Sequence, residues 1–115
     1  TKIADWTHFK SGEFVTQQHH NVPTLNLIYN GTVDVTVDSK KVAELKDGQF
    51  VGEMSFLTEK PATATCIAKH DTECLTWEQH GFKDLLKRNP SLYFSIQSLL
   101  SAQVSSALVS SSRQK

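Results

Sequence analysis

The sequence predicts a mainly β chain, a barrel or roll of short strands followed by helices at its C-terminal end. Three observations predict it. Short runs of alternating apolar and polar residues are broken by turn residues about every eight to twelve positions, the spacing of small all-β folds. The alternation stops at Glu78, after which apolar residues recur at three and four, as on one face of a helix. At 115 residues the chain is the size of one domain and can bury a modest core.

Taken in order, alternations at residues 6–9 and 13–15 flank Lys10-Ser11-Gly12, a turn by composition, and predict a first hairpin. A polar loop over residues 17–23 carries His19 and His20. Residues 24–29 form a strand, and Asn30-Gly31 is the strongest two-residue hairpin signal in the chain. Residues 32–37 are then its antiparallel partner, with Val33, Val35 and Val37 on one face and Asp34, Thr36 and Asp38 on the other. A slip of one residue would bury the aspartates, so the register is specified. Asp38-Ser39-Lys40 turns the chain, residues 41–45 make another strand, and Asp47-Gly48 leads into the central stretch.

That stretch, residues 46–68, reads as an apolar pair (Phe50, Val51), a glycine (Gly52), one helical turn over residues 53–57, a polar loop closed by Pro61, and an alternating strand over residues 63–68. A helical turn that opens at a glycine points bare backbone N–H groups outward, which suits an anion, phosphate above all. Lys69-His70-Asp71 turns again, and residues 72–77 form the last strand, with Leu75 and Trp77 on a core face. Phe82, Leu85 and Leu86 make residues 78–88 a helix, which Asn89-Pro90 ends. Ser91 is placed to cap a second helix with an apolar stripe of Leu92, Ile96, Leu99, Leu100, Val104, Ala107 and Leu108. Residues 1–109 are expected to be the domain and residues 110–115 a frayed tail. Ser101, Ser105 and Ser106 match a coiled coil poorly, so a homodimer seam through this helix would be short.

Composition narrows the function classes. Twelve basic residues balance twelve acidic ones, and no Lys/Arg cluster exceeds two neighbours, which disfavours contact with a nucleic acid backbone. No apolar run approaches the ~20 residues of a membrane span, and a cytoplasmic location is expected, with any membrane tether lying in a parent protein. The start at Thr1 suggests a fragment or processed product. Cys66 and Cys74 sit in apolar strand patterns and are expected to be half-buried thiols rather than a disulfide framework. Adjacent strand residues point to opposite faces, so His19 and His20 cannot share one metal ion without a backbone bend. There is no nucleophile–base pair, no paired carboxylates at a strand end and no metal-ligand set, so no enzyme is expected; a cupin-type metal enzyme is the weakest alternative.

Gly52, Glu53, Met54, Ser55, Phe56 and Leu57, then Pro61, Ala62, Thr63, Ala64 and Thr65, resemble the phosphate-binding cassette of cyclic-nucleotide-binding domains. The module occurs in catabolite activator protein, protein kinase A regulatory subunits and cyclic-nucleotide-gated channels. Phe9, Lys10, Ser11, Gly12, Glu13, Phe14 and Val15 are similar to the opening of the family's β-roll. The resemblance covers roughly residues 9–108. It implies a β-roll of the double-stranded β-helix, jelly-roll-like type followed by two helices, the last of which acts as a lid, a dimer element or both.

It also implies a ligand, cyclic AMP or cyclic GMP, and site roles. The amides at Gly52, Glu53, Met54 and Ser55, and at Thr63 and Ala64, would hold the phosphate. Glu53 would accept from the ribose 2′-hydroxyl, and Thr63 or Thr65 would touch phosphate or purine. The family's phosphate-gripping arginine falls on Ala62. Where the family commonly has an acid and a glycine followed by Asp, this chain has Gln18, His19 and His20, so a differently shaped loop is expected. The expected role is a regulatory sensor within a larger protein, with weak or altered ligand binding. The alternative is a degenerate structural or self-association module that binds no nucleotide.

Overall fold

Among the described residues, eight strands form two four-stranded antiparallel sheets, ordered β1-β8-β3-β6 and β2-β7-β4-β5. The computed structural model describes residues 4–113, with side chains to residue 103. The elements are β1 (Ala4–Phe9), β2 (Phe14–Thr16), β3 (Thr24–Asn30), β4 (Thr32–Val37), β5 (Lys40–Lys46), β6 (Phe50–Val51), α1 (Glu53–Thr58), β7 (Thr65–Ala68), β8 (Thr72–Glu78), α2 (Gln79–Lys87) and α3 (Pro90–Arg113). This is the mainly β roll with C-terminal helices that the strand spacing and the change of period at Glu78 predict.

Alternation along the first sheet divides the core in two. Ile28, Val51 and Cys74 point inward and meet Val33, Leu45 and Cys66 of the second sheet. Leu25 and Phe50 point the other way and pack beneath Phe56 of α1, Phe82 and Leu86 of α2 and Leu100 of α3. Trp77 stacks on Phe82 at 5.1 Å and 16° and joins this second cluster, as its strand face predicts. Cys66 and Cys74 are free and fully inside rather than half-buried, and burial pushes both thiols up to about 11. The native protein is therefore expected to resist alkylation at pH 8, with labelling appearing only on denaturation.

Two expected hairpins are not hairpins. β1 pairs with β8 and β2 with β7, so Lys10-Ser11-Gly12 carries the chain from one sheet to the other. The crossing is tied down by Gly12 N–H to Ala68 O (2.7 Å) and Ala68 N–H to Glu13 O (2.9 Å). Asn30-Gly31 is likewise a crossing: β3 pairs with β6 and β8, whereas β4 pairs with β5 and β7. The side of β3 where a hairpin partner would lie is occupied by β8, and Gly31 passes so close to Thr72 that a Cβ would fall 2.7 Å from its Cα. The amides at the corner find side chains instead of a ladder, Gly31 N–H donating to Asp47 Oδ1 (2.8 Å) and Thr32 N–H to Thr72 Oγ1 (3.3 Å). The two-residue turn of the primed kind lies one strand later, where Asp38 (φ 51°) and Ser39 (φ 68°) join β4 to β5.

Ser91 does not cap the last helix. Pro90 is its first residue, where a missing N–H costs nothing, and Tyr93 N–H closes on Asn89 O at 2.9 Å. Of the expected stripe, Leu100 is fully buried and Ile96 packs on the core, whereas Leu92 and Leu99 are exposed. The side chains of Val104, Ala107 and Leu108 lie outside the described residues. The helix runs into the segment expected to fray, of which residues 114–115 lie outside the description.

Candidate functional site

The site begins at Gly52, which stands between β6 and α1 with φ 93°. A side chain there would be strained by that φ, and its Cβ would sit 3.1 Å from Thr24 O and 3.3 Å from Val22 Cγ1. Glycine brings no side chain to cap the helix. The first-turn amides of Met54 and Ser55 have no acceptor within the helix, so the turn presents bare donors, while Glu53 N–H meets its own carboxyl. The helix is held at its other end, where Glu59 N–H donates to Ser55 O (2.8 Å), and Phe56 anchors it in the core.

In front of this turn is a cavity of about 390 Å³. Gly52, Glu53, Met54 and Ser55 line it from α1, and Ala62, Thr63 and Ala64 line it from the segment before β7. Thr65 does not line it; its hydroxyl accepts from Gln18 N–H (3.0 Å) and so holds the loop over residues 17–20. Ala62 is buried, and its backbone pairs with the histidine loop, His19 N–H donating to Ala62 O (2.8 Å) and Ala62 N–H to His20 O (2.9 Å). His19 takes φ 72°, the left-handed geometry that a glycine adopts without strain. Neither histidine belongs to a metal-ligand group: among the described residues no cluster of three or more His, Cys, Asp or Glu could hold an ion.

Sequence reasoning missed the rest of the wall. Val35, Ala43 and Leu45 reach the cavity from β4 and β5, and Thr16 and Cys66 from β2 and β7. Only the sheet topology brings these together. Gln103 reaches it from α3, and here a signal existed: it follows Ile96 and Leu100 at helical spacing, a polar residue in an apolar stripe.

Two carboxylates, Glu44 and Glu53, lie on the wall, and no Lys, Arg or His does among the described residues. Hydrogen bonding to Lys41, and then to Lys69, holds Glu44 below the usual carboxylate range. Burial raises the Glu53 carboxyl above its ordinary 4.5, partly offset by a bond from its own backbone N–H. A carboxyl raised on folding opposes folding when ionised; this cost is full above the raised folded value and gone below 4.5. Glu53→Gln is therefore expected to melt higher than the parent at pH 7, with the gap closing as pH falls through that window. Melting curves at stepped pH check this; a gap that persists unchanged at pH 4 would contradict it.

Comparison with known proteins bears on this geometry. The family model described as "Cyclic nucleotide-binding domain" matches residues 6–89. A cGMP-dependent protein kinase of Toxoplasma gondii is 33% identical over 88 residues, covering 75% of this chain and 9% of the kinase. Catabolite activator protein of Thermus thermophilus superposes with a TM-score of 0.77 at 24% identity, over 92% of this chain and 52% of that one. The regulatory subunit of a cAMP-independent protein kinase A from Trypanosoma brucei superposes at 0.69 and 23% identity, over 84% of this chain and 37% of that one. The chain thus spans only a small part of the kinase it matches. Among the described residues no helix is long and apolar enough to cross a membrane.

Proposed function

The chain belongs to the cyclic nucleotide-binding domain family, and from that membership we propose that it is the regulatory sensor of a larger protein, with a site that takes cyclic AMP or cyclic GMP weakly. One observation carries the reading: the uncapped turn at Gly52 faces a cavity rather than protein. The amides of Met54 and Ser55 would meet the phosphate, joined by Glu53 N–H once its carboxyl turns to the ribose, with the partial positive end of the turn behind them. Glu53 would accept from a ribose hydroxyl, an acceptor role that its ionised form fills. Ala62 replaces the side chain that would supply a charged fork, and no cation lines the wall among the described residues, so the phosphate would be held by backbone dipoles alone.

Weakness follows from magnitude. A charge-assisted contact to phosphate contributes about 1.5–3 kcal/mol, roughly tenfold to 150-fold in affinity. A domain of this kind that would bind near ~1 μM with the contact falls to tens or hundreds of micromolar without it. Thermal melting with each nucleotide tests the reading: ligand at ten times its dissociation constant adds about 1.4 kcal/mol, an upward shift of several degrees for a domain of this size. No shift with either nucleotide at 10 mM would defeat it.

A second reading is favoured by two carboxylates, Glu44 and Glu53, on a wall to which the described residues bring no cation. It is a module that keeps the roll for folding or self-association and holds no nucleotide. Leu92, Phe94 and Leu99, exposed on α3, are the surface that self-association through the last helix would use. In either reading the output belongs to the rest of the parent protein, and this segment contributes no nucleic acid contact.

A further inference from the structure

β6 is the edge strand of its sheet, and its two residues divide their backbone groups between two sides. Gln49 O accepts from Ile28 N–H (2.9 Å), so one residue on, at Phe50, the N–H and C=O point away from β3. Such outward groups ordinarily meet water or another strand. Here they meet Gln103 of α3. Phe50 N–H donates to Gln103 Oε1 at 2.8 Å, and Gln103 Nε2 donates to Phe50 O at 2.8 Å. The carboxamide copies the hydrogen-bond pattern of a strand residue and closes the sheet edge.

Placement gives this contact its consequence. Phe50 is two residues before Gly52, and Gln103 is itself on the cavity wall. Leu100, one turn earlier on α3, is fully buried against Phe50, Phe56 and Leu86. We infer that Gln103 is a latch: its carboxamide fastens α3 to the strand that leads into the Gly52 turn, so the docked position of α3 is held by the chain's own atoms. Lifting α3 strips both bonds from Phe50 and opens the sheet edge. The latch stands apart from the nucleotide reading, because both bonds are made between groups of this chain.

Hydrogen–deuterium exchange of single amides, followed by NMR without added nucleotide, tests it. In Gln103→Leu the Phe50 amide is expected to exchange about tenfold faster or more, together with the amides of residues 97–103, while the Ile28 amide on the same strand pair keeps its parental rate. A loss of general stability would speed Ile28 and Phe50 alike, and a passive Gln103 would speed neither; either result overturns the latch. Gln103→Glu keeps an acceptor for Phe50 N–H but sets a carboxylate against Phe50 O. It is expected to show the same selective loss at Phe50, smaller than that of the leucine variant. Should the leucine variant not fold, the glutamate variant decides by the same comparison of Phe50 with Ile28.

Discussion

Gly31→Ala is expected to lower stability by about 3 kcal/mol or more, a large part of what a domain of this size has. The new Cβ would fall 2.3 Å from Thr72 Oγ1 and 2.7 Å from Thr72 Cα and Cβ. Part of that obstacle is backbone, and Thr72 is wholly buried, so nothing nearby can step aside cheaply. The same hydroxyl bonds Thr32 N–H and His70 O, so pushing Thr72 away also strands polar groups at the corner. A φ of 141° adds strain of its own. Gly48→Ala is the control: it also has positive φ, 86°, but open space around the new Cβ, and should cost only about 1 kcal/mol. Urea midpoints at unchanged slope measure both. If Gly31→Ala stays within 1 kcal/mol of the parent, the close passage of the two sheets at this corner is wrong.

Ala62→Arg is expected to raise affinity for cyclic AMP or cyclic GMP by roughly tenfold to 150-fold. Ala62 is buried on the wall between the Gly52 turn and the histidine loop, and its backbone is fixed at both N–H and C=O. A guanidinium built from this position starts on the cavity side, and the two wall carboxylates favour its charge. Lys60, two residues away, does not line the cavity and does not substitute for it. Calorimetric titration of parent and variant checks the gain. Ala62→Lys should recover only part of it, because an ammonium cannot make the planar two-pronged contact. A folded Ala62→Arg protein with no gain would mean that anions do not enter this cavity.

Seven of the eight strands among the described residues, the change to helical period and the Gly52 turn were legible because each leaves a local pattern; β6, two residues long, read only as an apolar pair. Pairing was not. Asn30-Gly31 carries the residue types of a tight hairpin, and its local chemistry is what a corner between sheets also needs: a glycine for close approach and positive φ. Asp38-Ser39 makes the real two-residue turn with no glycine at all, since Asp tolerates the left-handed region and the paired strands enforce it on Ser39. Long-range pairing overrides local propensity in both places. The cavity lining was legible where one segment supplies it, from Gly52 to Ser55 and from Ala62 to Ala64. It was hidden where sheets converge on it, as with Glu44, Cys66 and Val35. Thr65 lies off the cavity wall, and its hydroxyl accepts from Gln18 N–H.

The central claim is that the helical turn after Gly52, with the bare amides of Met54 and Ser55, faces a hollow that receives a cyclic phosphate. Amide chemical shifts of the ¹⁵N-labelled protein, followed as cyclic AMP and then cyclic GMP are added to 10 mM, test it most directly. The account predicts saturable shifts concentrated at Glu53, Met54, Ser55, Thr63 and Ala64, with Phe9 and His70 unmoved. Shifts scattered over other surfaces, or none at these five amides at the highest concentration, would contradict it.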